Sequence, residues 1–114
     1  MTDRVTDLDA AVREHCTLFN ASVRSGDWAP FVATFHPDAH MDFVNIPVGP
    51  FHGREAIAVA YAAQPPDDTM TIRSVITLDD DTARVRFDWD RGGPGTMTVR
   101  WQEGQVAELA IEFG

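Results

Sequence analysis

The C-terminal half of the chain alternates apolar and polar residues, and that alternation constrains the fold more than any other feature. Ile72, Ser74, Ile76 and Leu78 share one parity; after DDDT so do Ala83, Val85, Phe87 and Trp89. After RGGPG the same holds for Met97, Val99 and Trp101, and after EGQ for Leu109, Ile111 and Phe113. Successive side chains point to opposite faces of a strand, so each run presents one apolar face. Short Gly- and Asp-rich connections make the four strands an antiparallel meander. A sheet with one apolar face needs a second layer to cover it.

The first half supplies that layer. Leu8, Val12, Cys16, Phe19 and Val23 recur at helical spacing, with Asp9, Arg13, Asn20 and Arg24 turned away. Thr6 or Asp7 caps this helix, and Gly26 stops it. A second helix is expected from Asp27 through Phe31 and Val32, ending near His36, because the residue before Pro37 is disfavoured in a helix. A third follows Gly53, with Ile57 and Tyr61 on one face, and QPPDD breaks it. Helices first and a meander afterwards is an α+β pattern, with a curved sheet wrapped around the helices.

Composition narrows the partners. The 114 residues make one domain, 1–114, with 44% hydrophobic residues. The net charge is −9 and all nine basic residues are scattered arginines, so a nucleic-acid backbone meets repulsion and finds no basic stripe. Cys16 is the lone cysteine, which excludes an internal disulfide and fits a reducing compartment. The acidic start MTDRVTDLDA is unlike a secretory signal, and no window has the apolar length of a membrane span. A cytoplasmic protein without membrane partners is the expectation.

Register follows from keeping apolar residues on one face. A three-residue loop, Glu103 to Gln105, pairs Val99 with Leu109 and Arg100 with Glu108. The same reasoning sets Arg73 opposite Asp88, and one permissible register sets Asp88 opposite Arg100. The outer face would then carry a ladder of alternating charge around Val75 and Ala110.

FNASVRSGDWAPFVATFHPDAHMDF, followed by PVGPFHGREAIAVAYAAQP and the four-strand meander, resembles the nuclear transport factor 2-like superfamily, in particular its ketosteroid isomerase-like and SnoaL-like (polyketide cyclase) branches. The resemblance covers nearly the whole chain. It implies a cone-shaped α+β barrel with a pocket between the helices and the concave sheet, and a homodimer through the outer sheet face. The fold hosts isomerases, cyclases, hydrolases, dehydratases and non-catalytic modules, so it implies no single activity.

Within that frame the stretch FHPDAHMDFVN is informative. A strand from Ala39 turns Met41 and Phe43 toward the pocket and His40 and Asp42 away from it. Asp38 serves the turn after Pro37. His36, His40 and Asp42 straddle a proline with nothing to converge them, so no metal site and no cofactor is expected. Asp42, if twisted toward the pocket mouth, is the leading candidate for a proton-transfer carboxylate, and His15, at the margin of the first helix's apolar stripe, is the second. Ser74 has no visible base to activate it, and His52 sits on a loop. The expected ligand-contacting set is Phe19, Met41, Phe43, Asn45, Tyr61, Trp89, Val99, Trp101 and Phe113, which suits a small apolar molecule.

Ketosteroid isomerisation needs a carboxylate base and an oxyanion hole made by a tyrosine and a protonated aspartic acid. Carried over by motif, the tyrosine falls on Phe19, the base on Phe43 or Ile46, and the protonated acid on Met97. All are apolar. Two function classes therefore stand: a binding protein or enzyme of isomerase, cyclase or hydro-lyase type acting on a small hydrophobic molecule, and a non-catalytic dimerisation or interaction module. An open interior favours the first and a filled one the second.

Overall fold

A computed structural model describes residues 7–44 and 47–113, the last of these by its backbone alone. Helix α1 (Leu8–Ser25) starts where the Asp7 carboxylate accepts from the Ala10 amide at 3.1 Å. It ends at Gly26, whose φ of 80° suits a residue without a Cβ and whose amide donates to the Ser22 carbonyl. Asn20, expected to face outward, instead is half-buried. Its side-chain amide accepts from the Met70 amide at 2.9 Å and donates to the Met70 carbonyl at 3.0 Å, tying α1 to the first residue of the meander.

Helix α2 (Ala29–Val32) is one turn long and does not reach His36. The Thr34 hydroxyl and amide both donate to the Phe31 carbonyl, which closes the turn. Strand β1 (Phe35–Val44) then starts four residues earlier than the sequence suggests. Pro37 is tolerated inside it because the pairing with the last strand is interrupted between Phe35 and His40, so no ladder bond is lost. A short β2 (Phe51–His52) leads into α3 (Arg54–Ala63), which buries Ile57 and Tyr61 as expected.

The meander forms as the alternation requires: β3 (Met70–Asp79), β4 (Thr82–Trp89), β5 (Pro94–Gln102) and β6 (Gln105–Phe113). Among the described residues the sheet has the order β2-β1-β6-β5-β4-β3, with β1 parallel to β6 and every other pair antiparallel. Helix α1 packs on β3 and β4, and α3 packs on β1. The central strands β5 and β6 face the space between the two helices. An α+β cone results, with helices inside a curved mixed sheet.

Two bulges change details of register. At the β5–β6 hairpin Val99 pairs with Leu109 and Arg100 with Glu108, as expected. The loop, however, has two residues, Glu103 (φ 55°) and Gly104 (φ 79°), the left-handed pair that matches strand twist. Gln102 then faces Gln105, and the spare residue is absorbed as a bulge where Val106 and Ala107 are both buried. In β3 the pairing slips between Ile72 and Ser74, which flips the parity beyond it. Val75, expected outside, packs on the core opposite Val85, while Ile76 and Leu78 turn to solvent at 49% and 45% exposure. The expected charge ladder is broken accordingly. Asp88 lies opposite Thr71 and Pro94, not Arg73 and Arg100, although the Arg73 guanidinium still reaches its carboxylate across the bulge.

Gly95 opposes Phe87 in the β4–β5 ladder, and a Cβ there would overlap the Phe87 ring. Phe87 is 1% exposed and packs edge to face on Trp89 at 5.1 Å, so shifting its ring disturbs the aromatic wall. Gly95→Ala is therefore expected to destabilise the fold by about 1–3 kcal/mol, measured by urea unfolding; an unchanged midpoint would contradict this packing.

Candidate functional site

The gap between α1, α3 and the central strands is a cavity of about 840 Å³. Its closed part is built from buried side chains: His15 and Phe19 on α1, Phe31 on α2, Met41 on β1, Tyr61 on α3, and Phe87, Met97 and Leu109 on the sheet. Exposed lining residues, Val48, Val59, Gln64 and Asp67, mark the mouth. The wall is apolar almost throughout because the inward parity of β1, β4, β5 and β6 is apolar.

Ring contacts hold the wall in shape. Trp28 stacks on Tyr61 with centroids 4.7 Å apart and an interplanar angle of 16°. Phe31 meets Phe19, Trp28, Phe35 and Tyr61 edge to face at 5.2–5.8 Å. His15 joins the cluster 5.0 Å from Phe31. Such arrangements suit the ring quadrupoles and fix side chains that would otherwise collapse inward.

Burial sets the electrostatics. The His15 imidazole, 5% exposed, has its pKa lowered to about 4, because the apolar surroundings disfavour the charged ring. Desolvation raises the Tyr61 phenol above its ordinary value, and it pushes the Cys16 thiol up to about 12 against the small opposing pull of Arg13. Cys16 packs 3.5 Å from the Met70 sulfur and is an inert core residue. At neutral pH the inner cavity is thus uncharged.

The sequence-derived candidates divide. Phe19, Met41, Phe43, Tyr61, Trp89 and His15 all line the cavity. Val99 and Trp101 share the inward parity but lie further along β5, where they are buried in packed core and border no open space. Asn45 lies outside the described residues, and the Phe113 side chain does too. Asp42 is not at the cavity: it is exposed on the opposite face of the sheet, beside a shallow cleft of about 350 Å³ with His40, Arg100 and Glu108. No twist carries it inward, because β1 keeps regular pairing with β6 from His40 to Val44.

The remaining polar residues have local partners. The His36 Nε2 lies 3.3 Å from the Glu103 carboxylate while its Nδ1 accepts from the Asp38 amide. His52 is exposed and its ring stands 4.4 Å from that of His40. Ser74 sits at the β3 bulge, away from the cavity wall. Among the described residues no three His, Cys, Asp or Glu side chains converge as metal ligands.

The mouth was missed in the sequence. QPPDD reads as a helix breaker, yet Gln64, Pro66, Asp67 and Asp68 line the entrance. Arg91, from the loop after β4, fixes that segment: its backbone amide donates to Asp68 at 3.1 Å and its guanidinium to Asp67 at 3.3 Å. The signal available was a run of carboxylates just before an alternating strand, with the matching arginine 23 or 24 residues away.

The SnoaL-like domain family matches over residues 12–109. The chain belongs to this family. No curated protein matches the sequence. Solved structures share the fold at low identity. A Bacillus subtilis protein provisionally designated an isomerase superposes with a TM-score of 0.76 at 15% identity, covering 100% of this chain and 90% of that one. A SnoaL-like protein of unknown function from Burkholderia thailandensis gives 0.73 at 10%, covering 92% and 95%. SalBIII, an epoxide hydrolase/cyclase-like enzyme with a role in pyran ring formation in the polyether salinomycin, gives 0.72 at 14%, covering 96% and 95%. No helix among the described residues is long and apolar enough to cross a membrane.

The buried imidazole makes stability pH-dependent with a definite sign. His15 stays neutral in the folded chain down to about pH 4, whereas an unfolded chain binds the proton near the ordinary value of 6.5. Stability is therefore lost as pH falls from 6.5 toward 4, by about 3 kcal/mol from this group. Urea unfolding at neutral pH and at about pH 4.5 should show wild type losing about 2 kcal/mol more than His15→Phe; equal losses would mean that the imidazole is not desolvated.

Proposed function

We propose that this SnoaL-like domain binds a small, largely apolar molecule in the cavity between its helices and the concave sheet. The carrying observation is an open interior of about 840 Å³ with an apolar wall, where a non-catalytic packing module would be filled. The fold neighbours support chemistry of the isomerase or cyclase kind on this ligand. They share the fold alone.

The cavity wall weighs against ketosteroid isomerisation. Phe19 and Met97, aligned with that enzyme's tyrosine and protonated acid, and Phe43, one of the two positions aligned with its base, border the cavity and offer only carbon and sulfur; the other base position, Ile46, is apolar and lies outside the described residues. Loss of one oxyanion donor costs about 10²–10³ in turnover, and here both donors and the base are missing. His15, with its pKa lowered to about 4, is a weak base at neutral pH, and the buried Tyr61 is a weak acid. Both suit holding a neutral polar group better than moving a proton. Any turnover uses a reactive group of the ligand itself, oriented by the wall.

Trp89 lines the cavity, whereas Trp28 and Trp101 do not. Titration with apolar aromatic compounds is expected to change tryptophan emission in wild type and much less in Trp89→Phe, while Ala60→Phe, which narrows the passage beside α3, weakens binding at least ~10-fold. Saturating binding unaffected by Ala60→Phe would place the ligand elsewhere.

The outer sheet face supports a further part of the proposal, a homodimer. Cross-strand rows run Arg84, Thr98, Ala110, Asp42 and Arg86, Thr96, Glu112, Val44. Each is basic on β4 and apolar or acidic on β6 and β1. A two-fold axis near Thr98 and Ala110 would lay one copy's arginines over its partner's carboxylates, which is the self-complementarity an isologous interface requires. Sedimentation should give a dimer at micromolar concentration that weakens with salt and is lost in an Arg84→Glu, Arg86→Glu variant. A monomer under all conditions would reject it.

A further inference from the structure

We infer that the cavity selects an uncharged ligand, an apolar body carrying one hydroxyl or carbonyl that pairs with His15, and that it rejects carboxylates and phosphates. This rests on the cavity being the ligand site. Among the described residues no arginine lines the cavity; the charged groups that do are Asp67 and Asp68. The nearby Arg91 is already committed, its guanidinium to Asp67 and its amide to Asp68. An anion would therefore pass two carboxylates, on a chain of net charge −9, into a wall with no counter-charge. Burying an unpaired anion is among the most unfavourable transfers a protein interior can impose.

A cation fares little better. Carboxylates stand only at the entrance, and the inner wall holds no counter-charge for an ammonium. A wholly apolar ligand would leave the imidazole unused. His15 borders the cavity at 5% exposure; its Nδ1 is enclosed without a hydrogen-bond partner among the described residues, which leaves Nε2 as the ring nitrogen for a ligand. A buried polar group without a partner is costly, so a ligand group that engages the ring gains affinity over one that cannot. Neutral imidazole has one donor and one acceptor nitrogen, and a hydroxyl serves either. The rings around it, Phe31 at 5.0 Å and Phe35 at 6.2 Å, compete for no hydrogen bond.

Isothermal titration with naphthalene, naphthol and naphthoate at neutral pH tests this on the intact chain. Naphthol is expected to bind at least ~10-fold tighter than naphthalene, and naphthoate at least ~100-fold weaker than naphthol. His15→Phe should erase the advantage of naphthol while keeping naphthalene binding, and His15→Gln, which retains a donor and an acceptor, should restore part of it. If neither neutral probe binds, the reading of the cavity as a ligand site fails. If the neutral probes bind but naphthoate matches naphthol, or the naphthol advantage is absent in wild type or persists in His15→Phe, the cavity reading stands and the selection for a neutral hydrogen-bonding ligand is overturned.

Discussion

A one-faced sheet must be covered, and the helices of this chain are too few to cover it. Helix α1 lies over β3 and β4 and α3 over β1, so the inward residues of β5 and β6, Met97, Leu109 and Ile111 among them, meet open space. Further along β5, Val99 and Trp101 are buried in the same core cluster as Phe35, and that part of the gap is filled. The rest stays open because the ring cluster of Phe19, Trp28, Phe31 and Tyr61 braces the helices apart from the sheet. The cavity is thus a consequence of layer geometry, held by aromatic packing.

Chemistry inside the cavity follows from the same geometry. A wall made by the inward parity of strands is apolar, and an apolar wall removes charge from whatever titrates beside it. His15 loses its affinity for a proton and Tyr61 and Cys16 keep theirs, all for one reason, desolvation. Charges are found where the sheet faces water: Arg100 with Glu108 at 2.9 Å, and Arg73 with Asp88. Exposed pairs of this kind add little stability.

The architecture was legible in the sequence wherever periodicity ran unbroken. α1 and its caps, the apolar face of α3, the inward turn of Met41 and Phe43, and the pairing of Val99 with Leu109 all follow from spacing. What spacing hides is the bulge, a single inserted residue that leaves no local mark. Arg73 reverses the outer half of β3, and the Val106–Ala107 pair repairs a hairpin whose turn is one residue shorter than counting suggests. Asn20 looked like a solvent-facing helix residue, because its partner is the backbone of Met70, 50 positions away. Within the site, His15 and the aromatic wall were visible, whereas Asp42 fell on the wrong face and the entrance residues from Gln64 to Asp68 passed as a helix stop.

An open interior is the claim on which the functional reading stands, and it can be tested without knowing the ligand. Xenon enters dry apolar cavities and scatters strongly, so crystals of the protein under xenon pressure report the interior directly. Xenon density is expected between Phe19, Met41 and Met97, with no displacement of the surrounding side chains. A crystal structure in which those side chains touch one another and no xenon enters would contradict it, and would leave a packed interaction module in place of a ligand-binding domain.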